Sequence, residues 1–381
     1  MKKIINIISI LRQSRFIFQK PEEKKIIIFD KQSEENLKSY FYKDEYCILD
    51  CRKEKINFYI LIVMILKGKK INYLNYLAQT VELVRPKIII TFIDNNITFY
   101  ELKKKFHKIK FIAIQNGVRF VTGDILEFLK NKKNNIYNID YYLTFNDTYK
   151  NKISKYIQSE FITIGSLKNN LSKISNNYNR NTISYISRFS DIFIDYTKKK
   201  NIEEIKKNYK NWEVDLLFYC IELIKNIVIY CNKKNLKLNI IGANKNILLE
   251  EKFYLNLLGP NNHVFLPKKN NLDSYKKIDE FEVVVNAMST LGYEAISRNK
   301  KVCFFSGDFI EGSSFIWPIS NEKIGNFYSN LYSLEEVTRV LDYLLSIDDK
   351  DWLEEINIYR QKLFFYDENN SKLKELIKNL L

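Results

Sequence analysis

Two α/β domains of similar size, each built on a mostly parallel sheet, are what this sequence predicts. Its 381 residues exceed the size at which one hydrophobic core usually stops growing. Short β-branched apolar runs recur through both halves at spacings that suit helical crossovers. One polar, Asn-rich stretch, "LKNNLSKISNNYNRNT" (167–182), interrupts that rhythm near the middle and has the composition of an exposed connection.

In the first half, "KKIIIFD" (24–30) and "EYCILD" (45–50) read as buried strands. A long segment from Ile56 to Val84 follows, helical around Tyr73 to Val84. "KIIITFID" (87–94), "KFIAIQNG" (110–117), "IDYYLTFN" (139–146) and "FITIGS" (161–166) complete the first series of strands. The second half repeats the pattern with "TISYIS" (182–187), a helix over about 215–231, "LKLNIIGA" (236–243), "HVFLP" (263–267), "FEVVV" (281–285) and "KVCFF" (301–305). Helices are expected over 334–347 and 351–381. The predicted architecture is two Rossmann-like domains facing a central cleft, residues 1–170 and 183–350. Residues 351–381 form a helix able to pack back on the first domain.

The composition narrows the function classes. An apolar fraction of 46% is ample for two cores, and 61 Lys plus Arg against 45 Asp plus Glu leave a net charge of +16. Those cations are spread along the chain, which suits phosphate-bearing substrates or peripheral contact with an anionic membrane. No nucleic-acid partner is expected, because no zinc-finger spacing, aromatic-basic strand motif or basic heptad region occurs. Cys47, Cys51, Cys220, Cys231 and Cys303 form no CxxC pair, and with His107 and His263 the only histidines, no metal site is expected. The cysteines read as reduced thiols of a cytoplasmic protein. The basic start "MKKIINIISILRQSRF" lacks a cleavage site, and the longest apolar run, "FYILIVMIL" (58–66), is far shorter than the roughly 20 residues a spanning helix requires. The chain is expected not to cross a membrane.

Residues 286–306, "NAMSTLGYEAISRNKKVCFFS", carry the densest chemical signal. They follow a buried strand and open a helix, the place where open α/β sheets bind ligands. Two readings stand side by side. In one, Ser289 and Thr290 hold a phosphate at the helix N-terminus, Gly292 admits close approach of a ligand, and Glu294 accepts hydrogen bonds from sugar hydroxyls. In the other, Ser and Thr cap the helix and Glu294 only favours its N-terminus.

The order of "PKIIITFIDNN" (86–96), "FIAIQNGVR" (111–119), "TIGSLKNN" (163–170), "ISYISRF" (183–189) and "DSYKKIDEFEVVVNAMSTLGYEAISRNKKVCFFSG" (273–307), with "FIWP" (315–318) after it, resembles a known family. It is that of two-Rossmann-domain (GT-B) glycosyltransferases of bacterial surface-carbohydrate biosynthesis, which build capsule, lipopolysaccharide or teichoic-acid-like polymers. The resemblance implies a nucleotide-activated sugar held by the C-terminal domain and a glycan or lipid-linked glycan acceptor held by the N-terminal one. Ser187, Gly242, Ser289, Thr290, Gly292 and Glu294 would then bind the donor, with no cofactor besides the nucleotide sugar. Arg188 would neutralise the leaving phosphate without a metal, its alternative being an ordinary surface ion pair.

On the acceptor side, Asp94 is the expected base, or else a turn residue capping Asn95 and Asn96. Gln115, Gly117 and Arg119 would meet the acceptor, and Asn116 would orient it. Related enzymes often carry His where Asn116 stands, and a neutral amide cannot take a proton. A CMP-linked acidic sugar such as Kdo or a nonulosonate is one implied donor. Alternatives are polyol phosphate transfer from a CDP-linked donor, a non-catalytic nucleotide- or sugar-binding scaffold, and an epimerase, against which the shortage of histidines counts.

Overall fold

The computed structural model describes residues 15–52, 55–119, 125–131, 136–198, 202–243, 246–308, 322–363 and 365–381. Most of the basic N-terminal segment and "FIWP" lie outside them. In chain order the strands are β1 (Arg15–Ile17), β2 (Ile26–Phe29), β3 (Tyr46–Leu49), β4 (Lys55–Asn57), β5 (Ile88–Thr91), β6 (Lys110–Ile114), β7 (Tyr137–Thr144) and β8 (Ile157–Thr163). The second half adds β9 (Asn179–Ile186), β10 (Leu238–Ile241), β11 (His263–Leu266), β12 (Phe281–Asn286), β13 (Lys301–Phe305), β14 (Ile324–Gly325) and β15 (Tyr328–Ser329).

The N-terminal sheet has the order β3-β2-β5-β6-β7-β8 and is parallel throughout. Its inner strands β2 and β5 are buried at every position because both faces are covered, whereas β7 and the edge strand β8 carry exposed polar residues. Ile27, Phe29, Ile89, Phe111 and Ala113 point into one core, and Ile26, Ile28, Ile88, Ile90, Ile112 and Ile114 into the other. The C-terminal sheet, β11-β10-β9-β12-β13-β15-β14, is parallel except for the final pair. The helix Asn211–Lys233 buries twelve of its residues in that domain's core, among them Leu217, Ile221, Ile224 and Cys231.

The chain end differs from the single helix expected over 351–381. One helix spans Asp349–Leu363 and a second Ser371–Leu380, whose Leu373 and Ile377 close a face of the N-terminal sheet. Between them the segment "YDENN" turns sharply. Asp367 accepts the backbone N–H of Lys372 at 3.1 Å, and Asn369 and Asn370 take positive φ, a conformation Asn tolerates better than most residues. Asn370 is fully buried, donating to the Leu167 carbonyl and accepting from the Asn170 amide. Beside it Gly165 (φ 71°) bridges Tyr366, and a Cβ there would lie 2.1 Å from the Phe365 carbonyl oxygen.

Candidate active site

Parallel strands deliver their carboxyl ends to one edge of each sheet, and the loops leaving those ends meet across an interdomain cavity. From the N-terminal domain come Gln115 and Arg119 after β6, Tyr149 beyond β7 and Ser166 after β8; from the C-terminal domain comes Glu294, and from the chain end Phe365. The cavity encloses about 550 Å³, including the part open to solvent. On the C-terminal sheet Ile186, Ile241 and Asn286 are in register across β9, β10 and β12. The residues that follow, Arg188, Gly242 and Ser289, therefore stand at neighbouring strand ends.

The helix Thr290–Ser297 is set by Asn286, which the sequence reading missed. Asn286 is fully buried at the end of β12, and its Oδ1 accepts the Ser289 N–H at 3.0 Å. Ser289 occupies the N-cap position without a side-chain cap bond. The turn places buried Met288 at φ 59°, an unusual conformation for a residue with a long side chain. The sequence suggested that Gly292 opens the backbone to a ligand, and the structure gives the glycine a different partner. A Cβ there would stand 2.1 Å from Asn286 Cγ, so the space it frees belongs to a protein side chain.

Along the same helix, successive turns touch the N-terminal domain. Thr290 Oγ1 accepts the Val118 N–H at 3.3 Å, and Gly117 packs so closely that its Cβ would meet that oxygen at 3.3 Å. Glu294 accepts the Ser166 hydroxyl. Ser297 Oγ accepts from the Asn169 amide at 2.7 Å. Arg298, the C-cap, is fully buried, pairs with Asp279, and donates to Asn169 Oδ1 and to the carbonyls of Ser172 and Lys173. The interdomain connection is thus fastened to the helix that would hold a donor. Burial pushes the Glu294 carboxyl above the usual range, against the opposing pull of the Ser166 and Tyr275 hydroxyls and of the Lys168 and Arg298 charges. A carboxyl so placed can hold a proton or accept hydroxyl donors.

On the N-terminal side the expected catalytic set is a closed network. Asp94 is fully buried and its carboxylate accepts the Asn116 N–H at 3.1 Å, the Tyr142 hydroxyl at 2.7 Å and two donors of the Arg119 guanidinium. With its lone pairs so engaged, Asp94 anchors the 115–119 loop in this conformation instead of standing ready as a base. Arg119 also donates to Asn116 Oδ1 at 2.6 Å, which ties the two side chains to each other at the cavity edge. Gln115 lines the cavity, yet its amide donates to the Gly117 carbonyl and accepts the Phe145 N–H.

Two donor-side expectations shift as well. Ser187 is buried and joins a core network with Glu250 and Tyr254, while Glu250 also accepts the Ala243 N–H. Gly242 lies under that network, where a Cβ would come within 3.0 Å of the Phe265 ring, so crowding by protein requires the glycine. Arg188 is half-buried, its Nε enclosed without a hydrogen-bond partner, and it makes no ion pair among the described residues. The surface ion pair considered for it is absent there.

Solved structures share this fold. An S. aureus protein solved as an MnaA–UDP co-structure superposes with TM-score 0.51 at 12% identity, over 94% of this chain and 98% of that one. The UDP-GlcNAc 2-epimerase of Methanocaldococcus jannaschii gives 0.51 at 10% identity over 93% and 99%, and the wall teichoic acid polymerase TagF 0.51 at 12% over 94% and 90%. At such identities the likeness concerns fold, which is the two-domain Rossmann-like GT-B architecture. The chain belongs to the family described as "putative O-antigen biosynthesis protein", whose model matches residues 112–381. No curated protein matches the sequence.

Proposed function

We propose that this chain is a glycosyltransferase that moves a sugar from a nucleotide-activated donor to a glycan of bacterial O-antigen or related surface-polysaccharide assembly, at the cytoplasmic face of the membrane. Membership of the O-antigen family and the GT-B fold support the class. The observation that carries the site is the adjacency of Arg188, which makes no ion pair among the described residues, and the N-terminus of helix Thr290–Ser297 at neighbouring strand ends, with that helix in contact with the opposite domain. Such a guanidinium and a helix N-terminus together suit a nucleotide's phosphates. On this reading Arg188 takes the charge that develops on the leaving phosphate, so no metal and no further cofactor is needed. Ser289 and Thr290 meet the phosphates, Glu294 accepts donor hydroxyls, and the Asp94–Arg119–Asn116 network fixes the loop that faces the acceptor. A CMP-linked acidic sugar fits a chain of net charge +16.

The test is nucleotide release from CMP-, UDP-, GDP- and dTDP-sugars, with and without lipid-linked glycan acceptor, by wild type and Arg188→Ala. Release that needs acceptor and is lost in the variant is expected. Release without acceptor would indicate an epimerase, and binding without any turnover would indicate a scaffold; either result overturns the transferase.

A further inference from the structure

Two stretches of the sequence, residues 1–21 and 55–81, contain no Asp or Glu, although the chain carries 45 of them. The parallel pairing of β1 with β4, Arg15 opposite Lys55 and Ile17 opposite Asn57, brings the described part of the first stretch beside the start of the second. The helix Phe58–Leu66 that follows β4 has the sequence FYILIVMIL, yet it fully buries only Ile60 and Met64. Ile62, Ile65 and Leu66 remain 54%, 62% and 80% exposed. Phe16 and Phe18 pack on the Phe58 ring at 5.4 and 5.1 Å between centroids while themselves 43% and 70% exposed, and Ile71 continues the patch.

Exposed apolar residues scattered singly need no explanation, but a contiguous cluster does. The cations around this one are telling. Exposed Arg15, Lys20 and Lys70 make no ion pair among the described residues, whereas Lys67 and Lys69 reach Glu82 on the neighbouring helix. We propose that this face docks on an anionic lipid bilayer, with Phe16, Phe18, Ile62, Ile65 and Leu66 entering the boundary between headgroups and acyl chains and the basic residues meeting lipid phosphates. A second copy of the chain is a poorer occupant, because a two-fold contact through this patch would set its basic rim against itself. Among the described residues no helix is long and apolar enough to span the bilayer, so the attachment is peripheral.

The proposal is independent of donor chemistry, and so is its test. The full chain is floated with vesicles of phosphatidylcholine alone and of phosphatidylcholine mixed with phosphatidylglycerol, at low and high salt. Wild type binds the anionic vesicles at low salt and is released at high salt. Ile65→Ser/Leu66→Ser, with an unchanged melting temperature, loses at least about tenfold in binding, and Lys20→Gln/Lys70→Gln weakens binding to anionic vesicles. Absence of flotation with anionic vesicles, or equal flotation of the Ser variant, overturns the proposal. So does a solution dimer that the Ser variant splits, which would assign the patch to a second copy.

Discussion

Replacing Gly292 by Ala probes how the donor-side helix is built. The added methyl group would stand 2.1, 2.4 and 2.5 Å from Asn286 Cγ, Nδ2 and Cβ, all well inside van der Waals contact. Asn286 is fully buried and cannot simply swing into solvent. Overpacking of this kind costs about 1–3 kcal/mol, and turning the Asn286 amide away from Ser289 N–H forfeits about 1 kcal/mol more. Alanine's better helix propensity returns about 1 kcal/mol. The net expectation is a loss of about 1–3 kcal/mol by urea denaturation. Asn286→Ala/Gly292→Ala gives the methyl group room, so the pair should be more stable than the sum of the single changes by about the overpacking term. A Gly292→Ala protein as stable as wild type, or a strictly additive double variant, would refute the reasoning.

Arg119→Ala leaves the Asp94 carboxylate buried without its cation and should cost about 3–5 kcal/mol in denaturation experiments, whereas Asp94→Asn/Arg119→Ala should recover part of that loss. Arg298→Ala removes the grip on the Ser172 and Lys173 carbonyls, and faster proteolytic cleavage within residues 167–178 is the expected readout. The Glu294 carboxyl is raised by burial, so the folded state binds its proton more tightly than the unfolded chain. Its contribution to stability therefore falls as pH rises from the unfolded value through the folded one. Urea melts of Glu294→Gln against wild type should show the variant gaining relative stability as pH rises above the ordinary carboxylate value of about 4.3, and a pH-independent difference would contradict the assignment.

Much of the architecture was legible because buried parallel strands leave a local signature. "KIIITF", "KFIAI" and "FEVVVN" can only be satisfied with both faces covered, and their spacing leaves room for crossovers. The stretch "NAMSTLGYEAIS" was likewise recognisable as a strand end opening a helix. The break between the last two helices was less so, although "DENNS" carries turn and cap chemistry that competes with the apolar period on either side. Roles at the cleft were less readable still. Arg119 and Asp94 lie twenty-five residues apart and Ser187 and Glu250 sixty-three, and no local pattern shows that each side chain spends its hydrogen bonds on the other.

The sequence by itself determined the two parallel sheets and the helix that opens after β12, since these follow from apolar periodicity and turn chemistry within short windows. Only the tertiary structure decided what the polar groups at the strand ends do. It ties Asp94 to Arg119, sets Gly292 against Asn286, leaves Arg188 without an ion pair among the described residues and brings residues 15–18 beside the acid-free helix Phe58–Leu66. Hydrogen bonds and ion pairs depend on distances between atoms far apart in the chain, and those distances exist only once the sheets have packed.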